Sequence, residues 1–432
     1  METADETPIT ELAAWQARPC PVLFPFDEVV AEYRRAGKHF VSSELLEALD
    51  RVRRTLPPSV DAYAQIARFL DTCLDKFDGR YDNPSYLALE QLELPGADGC
   101  PDRDRAEHRR DRLLVLVLTD MLRFELAAAD GETELQPELR PDTRGVAKRC
   151  RHALRAMRPA LERLGLCTGL DGSDPAAEAR QVCREVAAGM TPEEERRLQL
   201  TALPVSLVHD EYMFLRALQA YELTFALVGV QLRATVVAVS GGDAEAATEA
   251  LEAATRVLAE ASPIWSLTGT LQPEAFLRFR EYTDGASAIQ SRNYKLVESL
   301  CRQPDRERLD SPAYHSVPEI RDRVVAGQAN LSEVLEAACA EGLIGRVERG
   351  RLTSVMDAFE AGVLKWRKTH HSIAVRMLGE RRGTGYTEGV GYLEQVRTIP
   401  VFRGACPFGH GPATGAPAVA EPAERSVAVC KR

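Results

Sequence analysis

The sequence predicts an all-α protein, a helical bundle. Three observations carry that prediction: apolar residues recur at three- and four-residue intervals along most of the chain, period-two alternation is nearly absent, and helix-start signals precede the periodic stretches. "DEVVAEYRRA", "SSELLEALDRVRRTL", "DAYAQIARFLDTCLDKF" and "EAATEALEAATRVLAEA" each interleave charges between apolar positions on one helical face. "SSEL" and "TPEEERRL", the latter at 191–198, place Ser or Thr caps ahead of first-turn acids, where oxygen acceptors and negative charge suit the unpaired amides of a helix start.

Punctuation divides the chain into four parts. Residues 1–94 form an N-terminal helical region with a tyrosine-bearing element. Residues 95–190 form a mostly helical segment interrupted by "PGADGCPDRD", "QPELRPDTRG" and "LDGSDP". Residues 191–402 are the helical body, and the Ala- and Pro-rich stretch 403–432 is expected to be a disordered tail. The charge run "PDRDRAEHRRDR" reads as a solvated loop and helix face.

Composition narrows the function classes. Lys+Arg number 54 against 65 Asp+Glu, a net charge of −11, which argues against nonspecific binding to a phosphate backbone. The ten cysteines are scattered, without the CxxC or CxxCH spacing of zinc, redox or covalent haem sites. The opening "METADETPITELAAW" is acidic where a secretory signal is basic, and "LLVLVL" at 113–118 is far short of a membrane span. A cytoplasmic protein that binds neither nucleic acid nor membrane is expected.

Four stretches are candidates for chemistry. In "HDEYMFLRALQAYELTFALVGVQL", residues 209–232, Phe214, Leu218, Tyr221 and Phe225 recur at helical spacing, with Ala217 and Leu232 near the same face. Such a stripe is ordinarily core, and His209, Asp210 and Glu211 at its start are open to a capping role. "AFLRFREYTDGASAIQSRNYKLVESL", residues 275–300, begins as a helix, breaks at "TDGAS" and resumes near Ala288. There Arg280 follows Phe276 by one turn, which sets a planar cationic fork beside an aromatic wall. In "KWRKTHHSIAVRMLG", residues 365–379, the apolar face Val363, Trp366, Ile373, Ala374 and Met377 includes His370, whereas His371 shares a mixed face with Arg367 and Lys368. "GERRGTGYTEGVGYL" lacks the phosphate-loop pattern GxxxxGK[ST] and reads as a mobile loop able to close over a ligand, with Thr384 and Thr387 as hydroxyl donors.

In this order the four stretches resemble the tryptophan 2,3-dioxygenase family, within the haem-dependent oxygenase superfamily, over roughly residues 205–395. The resemblance implies an oxygenase with noncovalent haem b that inserts O2 into the indole ring of L-tryptophan, giving N-formylkynurenine, normally as a homotetramer. It places the axial iron ligand on His370, with Trp366 supporting it and another group holding the ring's second nitrogen. It matches Arg280 to the arginine that grips the substrate carboxylate, Phe214 and Phe276 to pocket walls, and Thr384 to the loop threonine touching the substrate's charged ends. "YDNPSYLALEQLEL" at 81–94 matches a short element that reaches into a neighbouring subunit's site, with Tyr86 as the positional counterpart.

Three departures stand out. Leu218 occupies the distal position where bacterial and animal members carry a histidine, and leucine neither accepts a proton nor donates a hydrogen bond. Residues 95–190 are an insertion where the family has a short connection. "ACPFGHGP" at 405–412 has Cys406 and His410 in a short pattern resembling a haem-responsive motif, which a plain tail explains as well. The first departure keeps open a substituted tryptophan as substrate, a haem monooxygenase or peroxygenase acting on a tryptophan or tyrosine derivative in natural-product biosynthesis, and a non-enzymatic haem or indole sensor.

Overall fold

Helices account for the regular structure of the computed structural model, which describes residues 6–57, 60–96, 102–167, 169–379, 381 and 389–403. Among the described residues the β-type pairing is one isolated parallel bridge, Glu138 to Val208. The tail beyond residue 403, with Cys406 and His410, lies outside them, as do Thr384 and Thr387.

The N-terminal helices α1 (Glu6–Ala17), α2 (Phe26–Ala36), α3 (Ser43–Thr55) and α4 (Ala64–Cys73) enclose their own core around Trp15, Phe26, Leu45 and Phe69, closed by Leu200 and Leu203. Ser42 caps α3 as its sequence suggests, accepting from the Leu45 amide. Short α5 (Asn83–Tyr86) and α6 (Leu89–Leu92) then carry the chain into a second, larger core that extends to Phe402.

That core is shared by the segment read as an insertion. Its helices α7 (Arg103–Ala129), α8 (Thr143–Arg163) and α9 (Pro175–Ala188) pack on one another, and α7 packs along the central helix. The "LLVLVL" run of α7 is wholly buried. The charge run before it is exposed or half-buried over most of its charges, as the solvated reading expects, but departs at its end: Arg110 and Asp111 are buried, and Arg163 donates to Asp111 at 2.6 Å while Glu260 accepts from Arg110 and Arg163. Burying these charges is tolerable because each has partners of opposite sign.

After α10 (Pro192–Leu200), begun by a Thr191–Glu194 capping box, comes the central helix α11 (His209–Ser240). It is apolar enough to cross a membrane by length and composition, with a window of mean hydropathy 1.7, but 72% of that window is buried inside the protein, as befits a core helix. Around it lie α12 (Ala244–Glu260), α13 (Ser262–Thr268), α14 (Pro273–Arg280) and α15 (Arg292–Cys301). The break expected at "TDGAS" is present between α14 and α15. Short α16 (Arg306–Leu309), α17 (Pro312–His315), α18 (Pro318–Val325) and α19 (Leu331–Ala340) lead to the 33-residue α20 (Arg346–Leu378), and α21 (Val390–Val396) folds back on it.

Two glycines let these helices approach closely. A Cβ on Gly229 of α11 would sit 3.3 Å from Leu296 of α15, and one on Gly362 of α20 would sit 3.2 Å from Leu258 of α12. Tight contact at these crossings draws α11, α15 and α20 around a common space.

Candidate active site

That space is a cavity of about 250 Å³. The first half of α11 supplies Phe214, Leu218, Tyr221 and Phe225 at helical spacing, α14 supplies Phe276, Phe279 and Arg280, and α20 supplies Trp366, His370, Ile373 and Met377. Tyr86 enters from α5 of the same chain, whereas the resemblance implied entry into a neighbour's site. Ala217 and Leu232 belong to the core instead of the lining.

The aromatic walls interlock. Phe214 meets Phe276 edge-on at 5.8 Å and Phe279 at 5.4 Å between ring centroids, and Phe276 and Phe279 are 5.4 Å apart. Phe279 is fully buried, which anchors α14 by roughly 2 kcal/mol and leaves Arg280, the next residue, at the cavity. Burial, then the like charge of Arg381, depresses the Arg280 pKa, with Asp284 opposing. A guanidinium in such surroundings attracts a carboxylate more strongly than one in water.

His370 and His371 face different ways, as the helical period requires. His370 lines the cavity, where burial, with a smaller push from His371, lowers its pKa to about 4. The ring is therefore neutral near pH 7 and can offer an electron pair. It stacks on Trp265 at 5.4 Å with planes 26° apart and contacts Trp366 at 5.4 Å. Among the described residues, ring contacts with Trp265 and with Trp366, the expected supporting residue, position the imidazole. His371 points to α21, with Nε2 2.8 Å from Glu394 Oε2.

Several residues of the site were not apparent from the sequence. Trp265 sits on the seven-residue α13, too short to display a period. The buried indole N–H groups of Trp265 and Trp366 lack partners among the described residues. Glu222, one turn beyond Leu218, also lines the cavity; burial raises its pKa although Asn293 donates to it at 2.8 Å. At one side of the cavity Lys295, Arg308 and Arg367 surround Glu298, which accepts from Lys295 at 3.0 Å and from Arg308 at 3.1 Å and lies 3.6 Å from Arg367. Burial alone would raise the Glu298 pKa, but the three cations outweigh it and hold the carboxyl well below the usual range. Burial in turn pulls the Lys295 ammonium down to about 8.

Residues 196–319 match the family model described as tryptophan 2,3-dioxygenase. Over that stretch, which holds α11, α14 and α15, the chain is similar to that family. The chain is 26% identical over 232 residues to the tryptophan 2,3-dioxygenase of Bradyrhizobium diazoefficiens, a match covering 46% of this chain and 83% of that protein. It is 27% identical over 247 residues to the enzyme of that name from a Polaromonas species, covering 48% of this chain and 83% of the relative. The corresponding protein of Xanthomonas oryzae pv. oryzae is 27% identical over 228 residues, or 45% and 76% of the two chains. The family match spans α11 and α14, with Leu218, Phe276 and Arg280, and ends before α20, so His370 enters the site through the fold.

Proposed function

We propose that this protein is a cytoplasmic haem-dependent oxygenase of the tryptophan 2,3-dioxygenase family that inserts O2 into the indole ring of L-tryptophan or a substituted tryptophan, working as a homodimer or homotetramer. The observation that carries the reading is the convergence on one cavity of a neutral, stacked imidazole, an aromatic slot and a guanidinium.

The residues suit haem b. His370 would hold the iron, the rings of Tyr221, Phe225 and Trp366 offer flat apolar walls, and two indole N–H groups without a partner among the described residues flank the imidazole. When bound, the haem supplies the oxygen-activating chemistry. The chain's own contribution is positioning: Arg280 receives the substrate carboxylate, Phe214 and Phe276 confine the ring, and the apolar lining keeps water out. Thr384, outside the described residues, would complete the hold on the charged end. Leu218 leaves the indole N–H without a protein acceptor at that position, and the carboxyl nearest along the helix is Glu222.

A second reading rests on that same leucine: a haem monooxygenase or peroxygenase hydroxylating a tryptophan or tyrosine derivative. Mass spectrometry of the product formed from L-tryptophan by the haem-loaded protein under 18O2 separates the two. Gain of two labelled atoms is expected; gain of one transfers the protein to the second reading, and no turnover with any aromatic amino acid sinks both.

A further inference from the structure

The segment 95–190 makes a buried contact that the basic run around Arg149 would not suggest. Arg149 of α8 is fully buried and touches three other parts of the chain. Its Nη1 donates to Glu125 of α7 at 2.7 Å, its Nη2 to Asp210 in the first turn of α11 at 2.5 Å, and its Nε to the Thr270 hydroxyl at 3.3 Å. The second oxygen of Asp210 accepts from the backbone amide of Gln272 at 2.7 Å, the residue immediately before α14.

Two neighbours in the same segment grip the same turn. The Leu139 carbonyl accepts from the Gln272 side chain at 2.8 Å. Glu138 accepts from the His209 amide at 2.8 Å and pairs with Arg278 of α14 at 3.1 Å. Turn 269–272 is thus fixed from one side, with Trp265 on the helix before it and Phe276 and Arg280 on the helix after it. Helix α14 has eight residues, about 12 Å, so a tilt at its start is carried undamped to its end.

We propose that this segment braces the substrate-gripping helix, with Arg149 as the positioning residue that sets Arg280. The inference rests on the reading of Arg280 as the carboxylate receptor. Removing the charge of Arg149 altogether would leave Glu125 and Asp210 buried without a counter-charge and unfold the region, so milder changes are the informative ones. Arg149→Lys keeps the charge but cannot span three partners; Gln272→Leu leaves every charge in place and removes the side-chain bonds to the Leu139 carbonyl and, at 3.3 Å, to Asp210 Oδ1.

The test measures binding of L-tryptophan and of tryptamine, which lacks the carboxylate, to the ferric haem-loaded protein by calorimetry, beside the melting temperature. Each variant is expected to bind L-tryptophan about tenfold more weakly, while tryptamine affinity stays within about twofold of wild type. Parallel loss of both ligands, or unchanged L-tryptophan affinity, overturns the brace. If Arg149→Lys fails to fold, Gln272→Leu decides alone. A wild type that does not prefer L-tryptophan to tryptamine refutes the role of Arg280 itself, a result distinct from loss of the brace.

Discussion

The indole of Trp265 lies nearly parallel to the imidazole of His370, 26° between planes and 5.4 Å between centroids. Stacking of this kind contributes about 0.5–1.5 kcal/mol, enough to favour one orientation of a ring whose other aromatic neighbour among the described residues is the tilted Trp366. Trp265→Leu should therefore weaken hemin binding by roughly three- to tenfold, read from Soret titrations. Unchanged affinity would mean that the stack is incidental.

The two adjacent histidines should behave oppositely. His370→Ala is expected to abolish the Soret band after reconstitution with hemin. His371→Ala removes only a half-exposed pairing with Glu394 and should keep the band, at a stability cost below about 1 kcal/mol in thermal unfolding. A normal Soret band in His370→Ala would move the ligand elsewhere.

Arg280→Ala should chiefly affect affinity for substrates that carry a carboxylate. A partly desolvated ion pair contributes on the order of 2–5 kcal/mol, so L-tryptophan binding should fall at least thirtyfold, roughly, with the haem spectrum of the ligand-free protein unchanged. Equal weakening of tryptamine would show that the helix, not the charge, had been lost.

Glu211 makes stability depend on pH. Its carboxylate accepts from the Val205 and Ser206 amides, from the Ser206 hydroxyl and from Tyr86, yet burial prevails and raises its pKa to about 7. The folded protein thus holds this proton more tightly than the unfolded chain does. The contribution is fully present below about pH 4.5 and is lost as pH rises through about 7, on the order of 3 kcal/mol in all. Denaturant titrations of Glu211→Gln should show this part of the slope removed; an unaltered pH profile relative to wild type would contradict it.

The walls of the site were legible where they lie on long helices. Phe214, Leu218, Tyr221 and Phe225 on α11, and Trp366, His370 and Met377 on α20, share faces that three- and four-residue spacing reveals directly. The same spacing separates His370 from His371, because one residue is about 100° of rotation. Illegible were residues whose burial comes from distant packing. Lys295, Arg308 and Arg367 look like solvated cations until Glu298 is seen among them, and Arg110 and Arg149 sit in basic runs that suggest open surface. Tyr86 was visible as a tyrosine in an amphipathic element, but not that it would reach the cavity of its own chain beside Glu211.

Because Arg149 and Leu139 reach from the 95–190 segment to Asp210 and Gln272, removing that segment would strip both residues of partners. Splicing residue 94 to residue 191 would bare the flank of α11 that α7 covers and free the turn before α14 from Arg149 and Leu139. The helices of residues 95–190 are a structural dependency of the site, and shortened forms should be sought at the termini.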